Sequence, residues 1–162
     1  MSDNDVDQMM HAGGWAAWHA KLATMIAQYG QALIGVFNTP DDGPGPGFTY
    51  TIGLTPHAGY EIIVFGLPYE SAAHFLNLMG EEIRAGKKYP IGEPIPELAN
   101  LPMMLMRADK RARGYVCQAD QYYGKKVVTL QLVLPDKSGN FPGQSGYDEE
   151  YMGLRQPLLY TP

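Results

Sequence analysis

The chain has 162 residues, with 45% hydrophobic and 18% charged side chains, the composition of one globular domain with a conventional core. Glycine and proline together number 32 of 162, which is rich in loops yet below the roughly 25–30% that marks low complexity. With 12 Lys+Arg against 17 Asp+Glu, the net charge of -5 repels phosphate backbones, so duplex nucleic acid is not expected as a partner. The lone Cys117 excludes an intrachain disulfide and any thiolate-rich metal site, and it fits a reducing compartment.

The first residues, Met1-Ser2-Asp3-Asn4-Asp5, are acidic where a secretory signal is basic, and no apolar run reaches the roughly 18 residues of a membrane span. A cytoplasmic protein with no membrane partner is the expectation.

Trp15, Trp18, Leu22, Met25 or Ile26, and Tyr29 recur at helical spacing, and Gly30 supplies the stop. Whether the Trp15/Trp18 face packs on its own sheet or forms a homodimer is open at this stage. Ala32 to Phe37 is a buried-strand pattern, and Thr39 to Gly47, with three prolines and three glycines, is a loop. Phe48 to Leu54 and Glu61 to Phe65 read as an antiparallel hairpin around a turn at Pro56 to Gly59.

Ser71 to Ala85 carries Ala72, Phe75, Leu76, Met79 and Ile83 on one helical face, closed by Gly86. Lys87 to Pro102, with four prolines, is a loop, and Met103 to Arg107 is a short strand. A third helix is predicted over Arg111 to Tyr123, then a strand over Lys126 to Leu134, a turn at Asp136 to Gly139 and an irregular tail.

Two strands in succession without an intervening helix exclude a doubly wound sheet. The predicted class is α+β: a single domain with about five strands, antiparallel or mixed, covered on one face by about three helices. An N-terminal helical extension, residues 1–25, precedes a core of residues 26–159.

Several chemistries are excluded by pattern. In Gly43-Pro44-Gly45-Pro46-Gly47 the prolines remove the N–H donors that a phosphate cradle needs. No P-loop and no dinucleotide fingerprint is present, and Gly143-Gln144-Ser145-Gly146 is one residue short of a nucleophile elbow. His11, His19, His57 and His74 include no pair three or four residues apart, so a metal site would have to be assembled from distant segments. The expectation is a chain with no metal and no cofactor. His57, in the turn between two strands, is the histidine placed for a functional role.

Phe48-Thr49-Tyr50-Thr51-Ile52-Gly53-Leu54, followed by Glu61 and the apolar run into Gly66-Leu67-Pro68, resembles the signature of an uncharacterised bacterial family, domain of unknown function 4262. Further phrases of that family are similar to Leu76-Asn77, Arg84-Ala85-Gly86, Tyr122-Tyr123-Gly124, Leu130 through Pro142, Tyr147-Asp148 and Gln156-Pro157-Leu158-Leu159. Where the family reads H-G-W this chain has Tyr29-Gly30-Gln31, and where it reads H-P before the glutamate this chain has Gly59-Tyr60. His57 is then the nearest imidazole to Glu61 in sequence. The T-x-G-L and E-(apolar)-L-P phrases are also similar to immunity proteins related to suppressor of fused, which implies a protein-neutralising domain by fold analogy alone.

Strand polarity brings candidate site residues together. Tyr50, Thr51, His57, Glu61, Gln131 and Asp136 could form one polar cluster, with Glu61, Asp136 or His57 as candidate catalytic groups and Tyr50, Thr51 and Gln131 as ligand contacts. The structural alternative has Asp136 capping its turn, Gln131 on a wet face and Glu61 paired with a lysine.

Arg107, Lys110, Arg111, Arg113, Lys125 and Lys126 hold six of the 12 positive side chains, beside Tyr115, Tyr122 and Tyr123. Arg107 and Arg111 are candidate contacts for a nucleotide-like anion, against the plainer reading of a solvated charged face. The expectation is a binding module for a small anionic molecule or a protein partner; the alternative is a hydrolase using Glu61 or Asp136 as general base.

Overall fold

A computed structural model describes residues 3–42 and 45–162, with the side chains of 3–13 and of Glu97 outside that description. Met1, Ser2, Gly43 and Pro44, which bear on the leader and phosphate-loop readings, lie outside the described residues, as does the His11 side chain.

In chain order the elements are α1 (Asp3–Tyr29), β1 (Ala32–Val36), β2 (Phe48–Ile52), α2 (Thr55–Ala58), β3 (Glu61–Phe65), α3 (Tyr69–Arg84), β4 (Pro94–Ile95), β5 (Met103–Arg107), α4 (Cys117–Tyr123), β6 (Thr129–Val133) and α5 (Glu149–Gly153). The strands form one six-stranded sheet in the order β1-β2-β3-β6-β5-β4. It is mixed: β3 and β6 run parallel, with Glu61 opposite Thr129 and Val64 opposite Leu132, and every other pair is antiparallel. Parallel neighbours need a long crossover, which residues 66–128 supply. Glu61–Phe65 and Thr129–Val133 are buried at every position, as strands covered on both faces must be.

That double coverage corrects the expectation of helices on one face. On one side α3 sets Ala72, Leu76, Met79 and Ile83 against Ile62, Val64, Leu105, Leu130 and Leu132. On the other, α1 and α4 set Trp18, Leu22 and Ala119 against Ile34, Tyr50, Ile52, Ile63 and Phe65. Trp18 therefore packs on its own sheet, 4% exposed, with its indole N–H donating to Gln118 Oε1 at 2.7 Å. Upstream of the tryptophans, Gly14 breaks the helical path of α1 with φ 71° and ψ -177°.

Four local readings need correction. The helix predicted over Arg111 to Tyr123 is a 3-10 turn, Lys110–Gly114, and then α4, because Val116, at φ -99° and ψ 34°, leaves the helical path between them. Its start is set by Asp109, whose carboxylate accepts from Arg111 N at 2.9 Å. Within the proline-rich loop, Pro94–Ile95 forms a sixth strand at the sheet edge, where a missing N–H is tolerated. The turn after β2 is itself one helical turn, α2, ending at Gly59 in the left-handed region. The tail carries α5, capped by Asp148 accepting from Tyr151 N at 3.1 Å, too short for helical periodicity to reveal.

Candidate functional site

The six-residue polar cluster is not assembled. Glu61 opens β3 and Asp136 follows the end of β6, and the two strands are parallel, so these carboxylates lie at opposite ends of the sheet. Tyr50 is buried between Phe48, Ile34 and Ile63 on one face, while Thr51 points to the other. Thr51 does meet Glu61, and that pair anchors a compact hydrogen-bond unit.

Glu61 is 0% exposed. Its Oε1 accepts from Thr51 Oγ1 at 2.8 Å and Leu54 N at 3.1 Å. Its Oε2 accepts from Thr55 N at 2.7 Å, from the Thr55 hydroxyl, and from Tyr123 OH at 3.1 Å. Thr51 Oγ1 accepts in turn from Ile62 N at 3.0 Å. Among the described residues no lysine pairs with Glu61, contrary to the structural alternative above. Burial pushes its carboxyl above the ordinary value, against the pull of these donors. Burial, with the Glu61 charge beside it, likewise pushes the Tyr123 phenol up.

The unit explains why these residue types stand together. A one-turn helix is not stable alone, and Leu54 N and Thr55 N open α2 with no side-chain cap of their own. Glu61 supplies that cap from the next strand. Gly53 sits at φ 130°, where a Cβ would lie 3.0 Å from the Gly30 carbonyl oxygen and from Gln31 Cα. The chain can therefore turn into α2 only with glycine there.

Gln131 is fully buried and holds the tail: its Nε2 donates to Pro157 O at 2.9 Å, and its Oε1 accepts from Leu159 N at 2.8 Å. The wet-face reading is thereby excluded. Asp136 caps its turn, with Oδ1 accepting from Ser138 N and Asn140 N and Oδ2 from Asp148 N. Burial raises its pKa, but these backbone donors outweigh it and leave the carboxyl below its ordinary value.

Sequence reasoning missed a second unit around Gln31. Its Nε2 donates to Leu76 O at 3.1 Å and Asn77 Oδ1 at 3.0 Å, and its Oε1 accepts from Arg84 Nη1 at 2.8 Å. Gly80 makes room for it, since a Cβ there would come 1.7 Å from Gln31 Oε1. The signal was present, because Leu76-Asn77 and Arg84 stand in the quoted phrases.

The basic stretch divides. Arg111 is held by Asp109 in a two-pronged pair and also donates to Thr161 Oγ1 at 3.0 Å; its guanidinium pulls the Asp109 carboxyl down to about 2. Arg113 pairs with Asp120 at 2.6 Å and donates to Val127 O at 2.7 Å, tying the 3-10 turn to the lead into β6. Arg107, Lys110, Arg113 and Lys126 line a groove of about 320 Å³ whose wall is Val127 to Thr129. Among the described residues Arg107 and Lys126 make no ion pair. Tyr115, Tyr122 and Tyr123 are packed against the core and do not line this groove.

A family model described as domain of unknown function (DUF4262) matches residues 25–148, more than half of the chain. The chain belongs to the DUF4262 family. No curated protein and no solved structure matches it. Within this DUF4262 chain the matched span holds both hydrogen-bond units and the basic groove. Among the described residues no three His, Cys, Asp or Glu side chains gather as a metal site, and no helix is long and apolar enough to cross a membrane.

Proposed function

We propose that the chain is a binding module for a small anionic molecule, seated in the groove between the end of β5 and the start of β6. The observation that carries this reading is the set of cations there: Arg107 and Lys126 are unpaired among the described residues of a chain with net charge -5. Asp109 also lines the groove, but its charge is engaged by Arg111. A phosphate-type anion would gain charge-assisted hydrogen bonds to a guanidinium and an ammonium. The general-base alternative has less support, because Glu61 is sealed by five donor contacts and Asp136 by three backbone N–H groups.

Calorimetric titration with inorganic pyrophosphate tests the reading. Arg107→Ala and Lys126→Ala are each expected to weaken binding about tenfold, the effect of losing one charge-assisted bond of about 1.5–3 kcal/mol, reduced by solvent screening. Arg111→Ala frees the Asp109 carboxylate at the groove and is expected to weaken binding, whereas Lys137→Ala, beyond the opposite end of β6, is expected to bind as the wild type does. Undiminished binding by both groove variants, or no binding at millimolar pyrophosphate, refutes the assignment.

A further inference from the structure

We infer that the cleft between α2 and the C-terminal end of α3 binds an aromatic monocarboxylate. This site is separate from the basic groove and uses different chemistry.

The cleft measures about 450 Å³, inside the range of roughly 300–1,000 Å³ typical of small-molecule sites. Ala58, Tyr60, Ile83 and Tyr89 line it together with His57, Lys87 and Lys88, so the cleft is part apolar and part basic. Flat rings and an aliphatic side chain around one cavity favour a planar apolar body over a hydrated ion.

The charge around the cleft fixes the ligand's other end. Lys87 lies 3.1 Å from Glu82 and its ammonium sits 4.7 Å from the centre of the Tyr89 ring. The Tyr89 hydroxyl donates to the same carboxylate, so Glu82 offsets the Lys87 charge and fixes the ring. Lys88 has no carboxylate partner among the described residues, and exposed His57 stands at the cleft with it. One uncompensated ammonium and one imidazole match one carboxylate. A polyphosphate would carry more negative charge than Lys88 and His57 can match, since Lys87 is offset by Glu82.

The wall that carries His57 is built in advance. Residues 55–58 form a single helical turn, and its first N–H groups are fixed by buried Glu61, the neighbour of Tyr60. Burial also pushes the Tyr60 phenol up, which keeps it a neutral donor beside the cleft. A preformed wall lowers the ordering cost that a ligand must overcome.

The test is titration of the full chain with 2-naphthoate, followed by ligand fluorescence and by amide NMR shifts. A parallel titration uses 2-naphthylmethanol, which keeps the rings and removes the charge. The expected result is naphthoate binding with shifts at His57, Tyr60 and Lys88, and at least tenfold weaker binding of the alcohol. Lys88→Met keeps the aliphatic stem and is expected to weaken naphthoate about tenfold while leaving the alcohol unchanged. Arg107→Ala, in the other groove, is expected to leave naphthoate binding unchanged, so the two sites succeed or fail independently. Equal binding of acid and alcohol, an unchanged Kd in Lys88→Met, shifts confined to other residues, or no binding at all would overturn the assignment.

Discussion

Replacing Glu61 with glutamine keeps the shape of the side chain and removes one acceptor oxygen. Oε1 serves Thr51 Oγ1 and Leu54 N, and Oε2 serves Thr55 N, the Thr55 hydroxyl and Tyr123 OH. Hydroxyls can rotate to accept from the new amide, but a backbone N–H cannot. Whichever way the amide is placed, either Leu54 N or Thr55 N is left without its partner. One orphaned buried donor costs about 1–3 kcal/mol, a substantial part of the roughly 5–15 kcal/mol that holds a domain folded.

The penalty has a pH dependence whose direction follows from burial. Unfolded, Glu61 releases its proton near its ordinary value of 4.5; folded, burial pushes that release to higher pH. Between the two values the native state binds more protons, so the stability contributed by this group is full below 4.5 and falls as pH rises through the window. Glutamine does not titrate. The wild-type advantage over Glu61→Gln is therefore largest at the acid end, shrinks as pH rises, and levels off once native Glu61 ionises. Urea unfolding of both proteins from pH 4.5 to 8, read by the fluorescence of buried Trp18, measures this difference. A penalty that grows with pH would refute the reasoning, because it would mean that the donors outweigh burial and hold the carboxyl down.

Two further substitutions test the surrounding structure. Gly80→Ala ordinarily gains about 0.5–1 kcal/mol inside a helix, but here the new Cβ meets Gln31 Oε1 at 1.7 Å and is expected to cost about 1–3 kcal/mol by overpacking. In a Gln31→Ala background the same change is expected to stabilise; thermal melts of the four proteins read this, and a penalty that persists without Gln31 contradicts the contact. Gln131→Leu leaves Leu159 N and Pro157 O unpaired, and is expected to cost about 2–5 kcal/mol and to speed chymotrypsin cleavage at Leu158 and Tyr160. Unchanged cleavage would show that the tail is held by something other than this amide.

Much of the framework was legible in the sequence because burial writes a period into it. The strands Glu61–Phe65 and Met103–Arg107 and the apolar face of α3 follow from runs and spacings that only those elements can bury. Family membership was legible too, through phrases spread along the core. The sheet order and the parallel β3–β6 pair were not, since partners come from residues far apart in the chain. Short elements such as α2, β4 and α5 lack the length for a period to show.

The roles of single polar residues were the least legible. Glu61, Gln131 and Asp136 look alike in sequence, as polar residues at or within buried strands, yet one caps a neighbouring helical turn, one clasps the tail and one closes a loop. Arg107 and Arg111 are four residues apart, and only the fold turns the second toward Asp109 and leaves the first in the groove. The sequence alone determined which apolar runs and faces build the core, because hydrophobicity belongs to the residue. Tertiary structure alone decided which polar groups are already satisfied and which remain open to a ligand, because a hydrogen bond belongs to a pair.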